Sequence, residues 1–92
     1  MKTKIIVISN FSTTYQRGVR VASYPVTMSD ADIVLESCEW MNYNDVHGAA
    51  YTHADLSGWK TPLEFLEDVI KKDGYPNVVV TMHEVEDACI LS

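Results

Sequence analysis

The sequence holds no HExxH, no paired CxxC, no EF-hand loop and no G-x-S-x-G elbow, so none of the compact signatures of metal, calcium or serine chemistry is available. Gly occurs at four positions, too few and too scattered for a phosphate-cradling loop or a dinucleotide fingerprint. The longest early apolar run, Ile5 to Ile8, is closed by Ser9-Asn10. A secretory h-region needs about 7 to 15 apolar residues and a membrane helix about 20, so a cytoplasmic protein without a membrane segment is expected. The two cysteines, Cys38 and Cys89, stand apart in apolar surroundings, which suits buried reduced thiols better than a disulfide or a low-pKa nucleophile.

Charge of one sign is also missing locally. Residues 1–27 contain Lys2, Lys4, Arg17 and Arg20 and no acid, whereas residues 28–59 contain Asp30, Asp32, Glu36, Glu39, Asp45 and Asp55 and no base. The remainder sets seven acids against Lys60, Lys71 and Lys72, and the whole chain carries −6. Direct phosphate gripping needs clustered Lys and Arg, so the bulk charge argues against nucleic acid as the direct ligand and for a basic protein partner or simply for solubility.

What is present suffices for one domain. In 92 residues, 47% are hydrophobic and 22% charged, the profile of a folding globular chain and not of a disordered one. Lys4 to Ser9 is a β-branched run that reads as a central strand buried on both sides. Val19 to Tyr24 alternates and ends at Pro25, a second strand with Val19 and Val21 on one face. Ser29 caps a first helix over Asp30–Tyr43. At 100° per residue, Ala31, Val34, Leu35, Cys38 and Met41 form its buried stripe, leaving Ile33 and Trp40 near the opposite side with Asp32, Glu36, Glu39 and Tyr43.

Residues 44–60 form a long loop, with a short strand expected near Ala49–His53. Thr61-Pro62-Leu63-Glu64 is a capping box with proline at the first helical position, opening a second helix over Pro62–Asp73 that Gly74 stops. Leu63, Leu66, Val69 and Ile70 are its buried stripe. Asn77–His83 is a third strand, and Val85–Leu91 is an optional edge strand after a turn or bulge at Glu84, Glu86 and Asp87. The chain over 1–92 thus reads as a single α+β domain. Its small, mostly antiparallel sheet has about three to five strands with two helices packed on one face, in the order β-β-α-(β)-α-β-(β).

Three functional expectations follow. The first is a partner-binding surface of Asp32, Ile33, Glu36, Glu39, Trp40 and Tyr43, because an apolar anchor ringed by charge is the usual anatomy of an interface. Such a row of carboxylates on a rigid helix fits a groove built for phosphates, making the protein an inhibitor of a nuclease or other nucleic-acid-handling protein and not an enzyme. In size and charge the chain is similar to anti-CRISPR, anti-restriction and bacteriocin immunity proteins, a likeness of composition that assigns no residue. The second is a homo-oligomeric accessory domain, a homodimer paired through a strand edge near Val85–Leu91. The third is a metal-dependent enzyme using the 45–55 loop, where Asp45, His47, His53 and Asp55 crowd together and His83-Glu84 approach from a strand; the leading reading needs no metal or cofactor. Glu64, Glu67 and Asp68 give the second helix an acidic face as well, and the early lysines and arginines read as protection of a sheet edge.

Overall fold

The computed structural model describes residues 2–12 and 17–86. It has an α+β arrangement: strand β1 (Lys2–Ser12), strand β2 (Arg17–Pro25), helix α1 (Asp30–Trp40), the short helix α2 (His53–Leu56), helix α3 (Pro62–Lys72) and strand β3 (Val79–Glu86). The three strands form one antiparallel sheet in the order β2-β1-β3. The β-branched run of β1 is therefore central, as its composition predicts.

Its burial is one-sided. Ile6 and Ile8 are fully buried and point at the helices, whereas Ile5 and Val7 are half-buried on the other face. The expectation of a strand buried on both sides is corrected here: the helices cover one face only. β1 also continues past Ser9 through an irregularity between Ile8 and Phe11, where Asn10 has φ 58°. Asparagine tolerates this left-handed backbone, and such a bulge carries a strand past a residue that would otherwise end it.

Helix α1 starts where the cap predicts, with the Asp32 amide donating to Ser29 Oγ at 3.1 Å. It ends at Trp40, before the expected Tyr43. Asn42 takes φ 61°, its amide donates to Glu39 O, and the Tyr43 amide donates to Cys38 O at 2.8 Å. These are the two bonds of a Schellman stop with asparagine in the left-handed position. Lys4 ties the helix entrance to the central strand, donating to Met28 O and to Asp30 Oδ1, each at 2.9 Å.

Helix α3 matches its sequence signals closely. The Glu64 amide donates to Thr61 Oγ1 at 3.2 Å, Pro62 occupies the first turn, and Gly74 has φ 108°. Phe65, Leu66 and Ile70 are its buried residues, with Leu63 and Val69 only partly buried. Together with Ile6, Ile8, Ile33, Val34, Cys38, Leu56, Val78 and Val80 they make one core between the helices and one face of the sheet.

Three further expectations are corrected. No strand forms near Ala49–His53; instead Thr52 and Asp55 close a capping box that starts α2 at His53. Two helices become three by that short turn. β3 begins two residues later than expected and runs without a turn through Glu84 to Glu86, while 87–92, including Cys89 and most of the anticipated edge strand, lie outside the described residues. Among the described residues no helix is long and apolar enough to cross a membrane.

Candidate functional site: the outer face of the first helix

The buried residues of α1 are Ile33, Val34, Ser37 and Cys38. Their centre is rotated by about 65° from the apolar stripe read in the sequence, taking 100° per residue. Ser37 is the cause. Its hydroxyl donates to Ile33 O at 2.8 Å and the side chain is fully buried, since a serine that bonds back to the preceding turn needs no solvent. A polar letter thus occupies the core side, and the whole helix turns with it.

The rotation sorts the predicted site residues. Ile33 is 0% exposed and belongs to the core, so its expected place on a binding surface is overturned. Trp40 remains 41% exposed, with its indole N–H donating to the Tyr24 hydroxyl at 3.0 Å. Tyr43 is half-buried and donates its hydroxyl to Asp73 Oδ2 at 2.9 Å. Burial first, and then the Asp73 carboxylate, push the Tyr43 phenol well above its ordinary range, so it stays a neutral donor. Asp32, Glu36, Glu39 and Trp40 fall within about 100° of the helix circumference on its outer side. The three acids are successively four and three positions apart, which brings neighbouring Cβ atoms to about 5 to 6 Å.

Pairing then divides the acids. Asp30 is bonded to Lys4, and Asp32 Oδ1 lies 2.8 Å from His53 Nε2. On α3, Glu67 and Asp68 are compensated by Lys71 and Lys72 at 3.1 and 3.0 Å, and Glu67 also accepts from the Val80 amide. Glu36 and Glu39 are exposed and have no salt-bridge partner among the described residues. Among the described residues α1 thus keeps two unpaired carboxylates on one face, Glu36 and Glu39, whereas of the three acids of α3 Glu64 alone is without an ion pair.

Beside that row, Asp32, Glu36 and Glu39 border a cleft of about 260 Å³ between α1 and the loop carrying Asn44 and Tyr51. The same Tyr43, Asn44 and Tyr51 form the near wall of a second cleft, which continues to Trp59 and Asp68. Tyr51 and Trp59 both stand edge-on to Phe65, with ring centroids 5.0 and 5.9 Å away. This geometry stabilises aromatic pairs and gives both rings the task of covering the core at α3. They do not extend the α1 surface around Trp40.

The histidine loop is held by its own acids. Asp45 accepts the amides of His47 and Ala49 at 2.8 and 2.9 Å, bonds that hold its carboxyl below the usual aspartate value. Asp55 accepts the Thr52 amide and hydroxyl, and His53 turns to Asp32. His83 contacts Thr81 on β3. The loop acids are thus engaged by nearby backbone and hydroxyl groups and His53 by Asp32 on α1, and no three His, Cys, Asp or Glu side chains among the described residues converge as a metal would require.

Sequence reasoning missed Tyr24 and His53 as neighbours of the site. Both contacts join residues far apart in the chain, which local periodicity does not encode; only the alternation of β2 placed Tyr24 on the same face as Ala22. Comparison of the chain with models of protein families, with curated proteins and with solved structures finds no match in any of the three.

Proposed function

We propose that this protein is a binding module that lays the outer face of α1 into a basic groove of a nucleic-acid-handling protein and inhibits it by occupying the place of phosphates. The observation that carries the reading is the exposed pair Glu36 and Glu39, without a cation among the described residues and flanked by the half-exposed Trp40. Asp32 to Glu39 rises by about 10 Å along the helix, so three carboxylates stand about 5 Å apart, against one phosphate per 3.4 Å along one DNA strand. The row supplies part of the charge of a backbone, and Trp40 supplies apolar contact that a phosphate chain lacks.

The two kinds of group act on different quantities. Exposed carboxylates meeting lysines or arginines at an interface rim contribute about 0.2 to 1 kcal/mol each and chiefly set the association rate and its salt dependence. A buried tryptophan anchor contributes about 2 kcal/mol or more and chiefly sets residence time. Anti-CRISPR, anti-restriction and immunity proteins, to which the chain is similar in size and charge, are inhibitors of this class.

The test is affinity capture from lysates of bacterial cells with three baits: the native protein, Glu36→Gln/Glu39→Gln and Trp40→Ala. The reading expects the native bait to retain a basic nucleic-acid-binding protein that salt or duplex DNA releases, and both variants to retain less of it at low salt. Identical captures by native and variant baits, or a captured protein indifferent to DNA, would refute it.

A further inference from the structure

The face of the sheet turned away from the helices is uncovered among the described residues. Strand alternation and the ladder register put Ile5, Val7, Val19, Val21, Val79 and Val85 on it. Val19 and Val21 are 62% and 60% exposed, and Val79 41%. Exposed apolar residues scattered singly are ordinary, but a contiguous patch on adjacent strands marks a surface that meets another molecule.

Its occupant follows from charge. Over Thr3–Ser9, Val19–Pro25 and Val79–Val85 this face holds no Lys, Arg, Asp or Glu, because Lys4, Arg20 and Glu84 all project to the helix side of the ladder. Two of its polar side chains, Thr81 and His83, satisfy each other at 3.0 Å. A basic or acidic surface docked here would lose hydration and find no counter-charge. A second copy presents the same neutral, valine-rich face and matches it in polarity in an isologous, two-fold arrangement.

We propose that two copies of this chain associate through these open sheet faces, forming a four-layer helix-sheet-sheet-helix dimer. Aligned sheets pack about 10 Å apart with interdigitated side chains. The α1 rows then face outward on opposite sides, clear of the contact. Three strands about 4.8 Å apart and a ladder of about seven residues at 3.3 Å each give roughly 330 Å² of flat face per copy. That is well under the roughly 800 Å² per partner of a stable interface, so the dimer is a reversible one that forms at high concentration. Because the contact itself is uncharged and each copy carries −6, salt strengthens it by screening the repulsion between the two copies. Binding through the acidic helix has the opposite salt dependence, which separates the two ideas experimentally.

Sedimentation velocity on the full chain, across about a hundredfold range of concentration at low and high salt, tests this. The expected result is a mass rising from 10.4 kDa toward twice that value, with a larger dimer fraction at high salt. Val21→Lys and Val79→Lys, on the two outer strands, should each weaken association by at least about tenfold, since each places an unpaired charge in an apolar contact. Far-UV circular dichroism checks that each variant is folded; Val19→Thr, which preserves shape, replaces any that is not and should weaken association in the same direction. A monomer at every concentration and salt, association that falls with salt, or folded variants that dimerise like the native chain would each overturn the proposal. The last of these would point to pairing through a strand edge instead.

Discussion

Replacing Ile33 by alanine probes the orientation of α1, on which the placement of the acidic row depends. Ile33 is fully buried against the sheet and its neighbours, whereas Leu35, one step outside the buried group, borders the cleft beside the 44–51 loop and is only partly buried. Ile33→Ala removes three carbons, worth about 2.4 kcal/mol at 0.8 kcal/mol per buried methylene. The cavity left behind adds to this, giving about 3 to 4 kcal/mol within the 2 to 5 usual for such truncations. For 92 residues the whole stability is on the order of 5 to 14 kcal/mol, so the loss is a large share of it. With a slope of about 1 to 1.5 kcal/mol per molar urea, the unfolding midpoint should fall by about 2 to 4 M. Leu35→Ala should cost about 1 kcal/mol, in line with its partial exposure. Equal losses, or a larger one at Leu35, would place the helix in the rotation suggested by its apolar letters. The burial of Ser37 would then be refuted along with the position of Glu36 and Glu39.

Two further outcomes follow from the titratable groups. Burial pushes the Cys38 thiol from 9.0 up to about 11, and the side chain is 1% exposed. In a Cys89→Ser background, Cys38 should therefore resist alkylation at pH 8 in the native state and react at the rate of global unfolding; fast modification without unfolding would contradict its packing. The raised value favours the folded state fully below pH 9 and is lost as pH rises toward 11, so urea midpoints should decline across that window. Asp45 is held below its ordinary 3.8 by the amides it accepts, so its contribution is present above that value and is lost as pH falls through the depressed one. Asp45→Ala should speed hydrogen exchange at the Ala49 and His47 amides while leaving the global urea midpoint nearly unchanged; unchanged exchange there would mean that the carboxylate does not hold the loop.

The parts of the fold legible in the sequence are those written in local chemistry. The T-P-x-E start and Gly74 stop of α3, the Ser29 cap of α1 and the β-branched run of β1 each satisfy backbone requirements within a few residues of themselves. The one-sided burial of β1 was not legible, because a continuous β-branched run reads alike whether one face or both are covered. The rotation of α1 was hidden by Ser37, a polar residue made core-compatible by a bond to its own helix. Thr52 to Asp55 did carry a capping signal, and the short α2 it starts was obscured by the β-prone Tyr51-Thr52 beside it. Asp32, Glu36, Glu39 and Trp40 were legible as a helix face. Their contrast with α3 was not, since it depends on Lys71 and Lys72 reaching Glu67 and Asp68 and leaving Glu64 alone there, while Glu36 and Glu39 both stand without an ion pair among the described residues.

The most direct measurement of the central claim is the association rate between this protein and the partner it captures, followed against ionic strength for the native chain and for Glu36→Gln/Glu39→Gln. Steered association falls steeply with salt. The account predicts a native rate that drops with salt and a variant rate that is lower at low salt, flatter, and convergent with the native one at high salt, with dissociation little changed. Parallel curves for the two proteins would show that the outer face of α1 does not guide binding, and would contradict it.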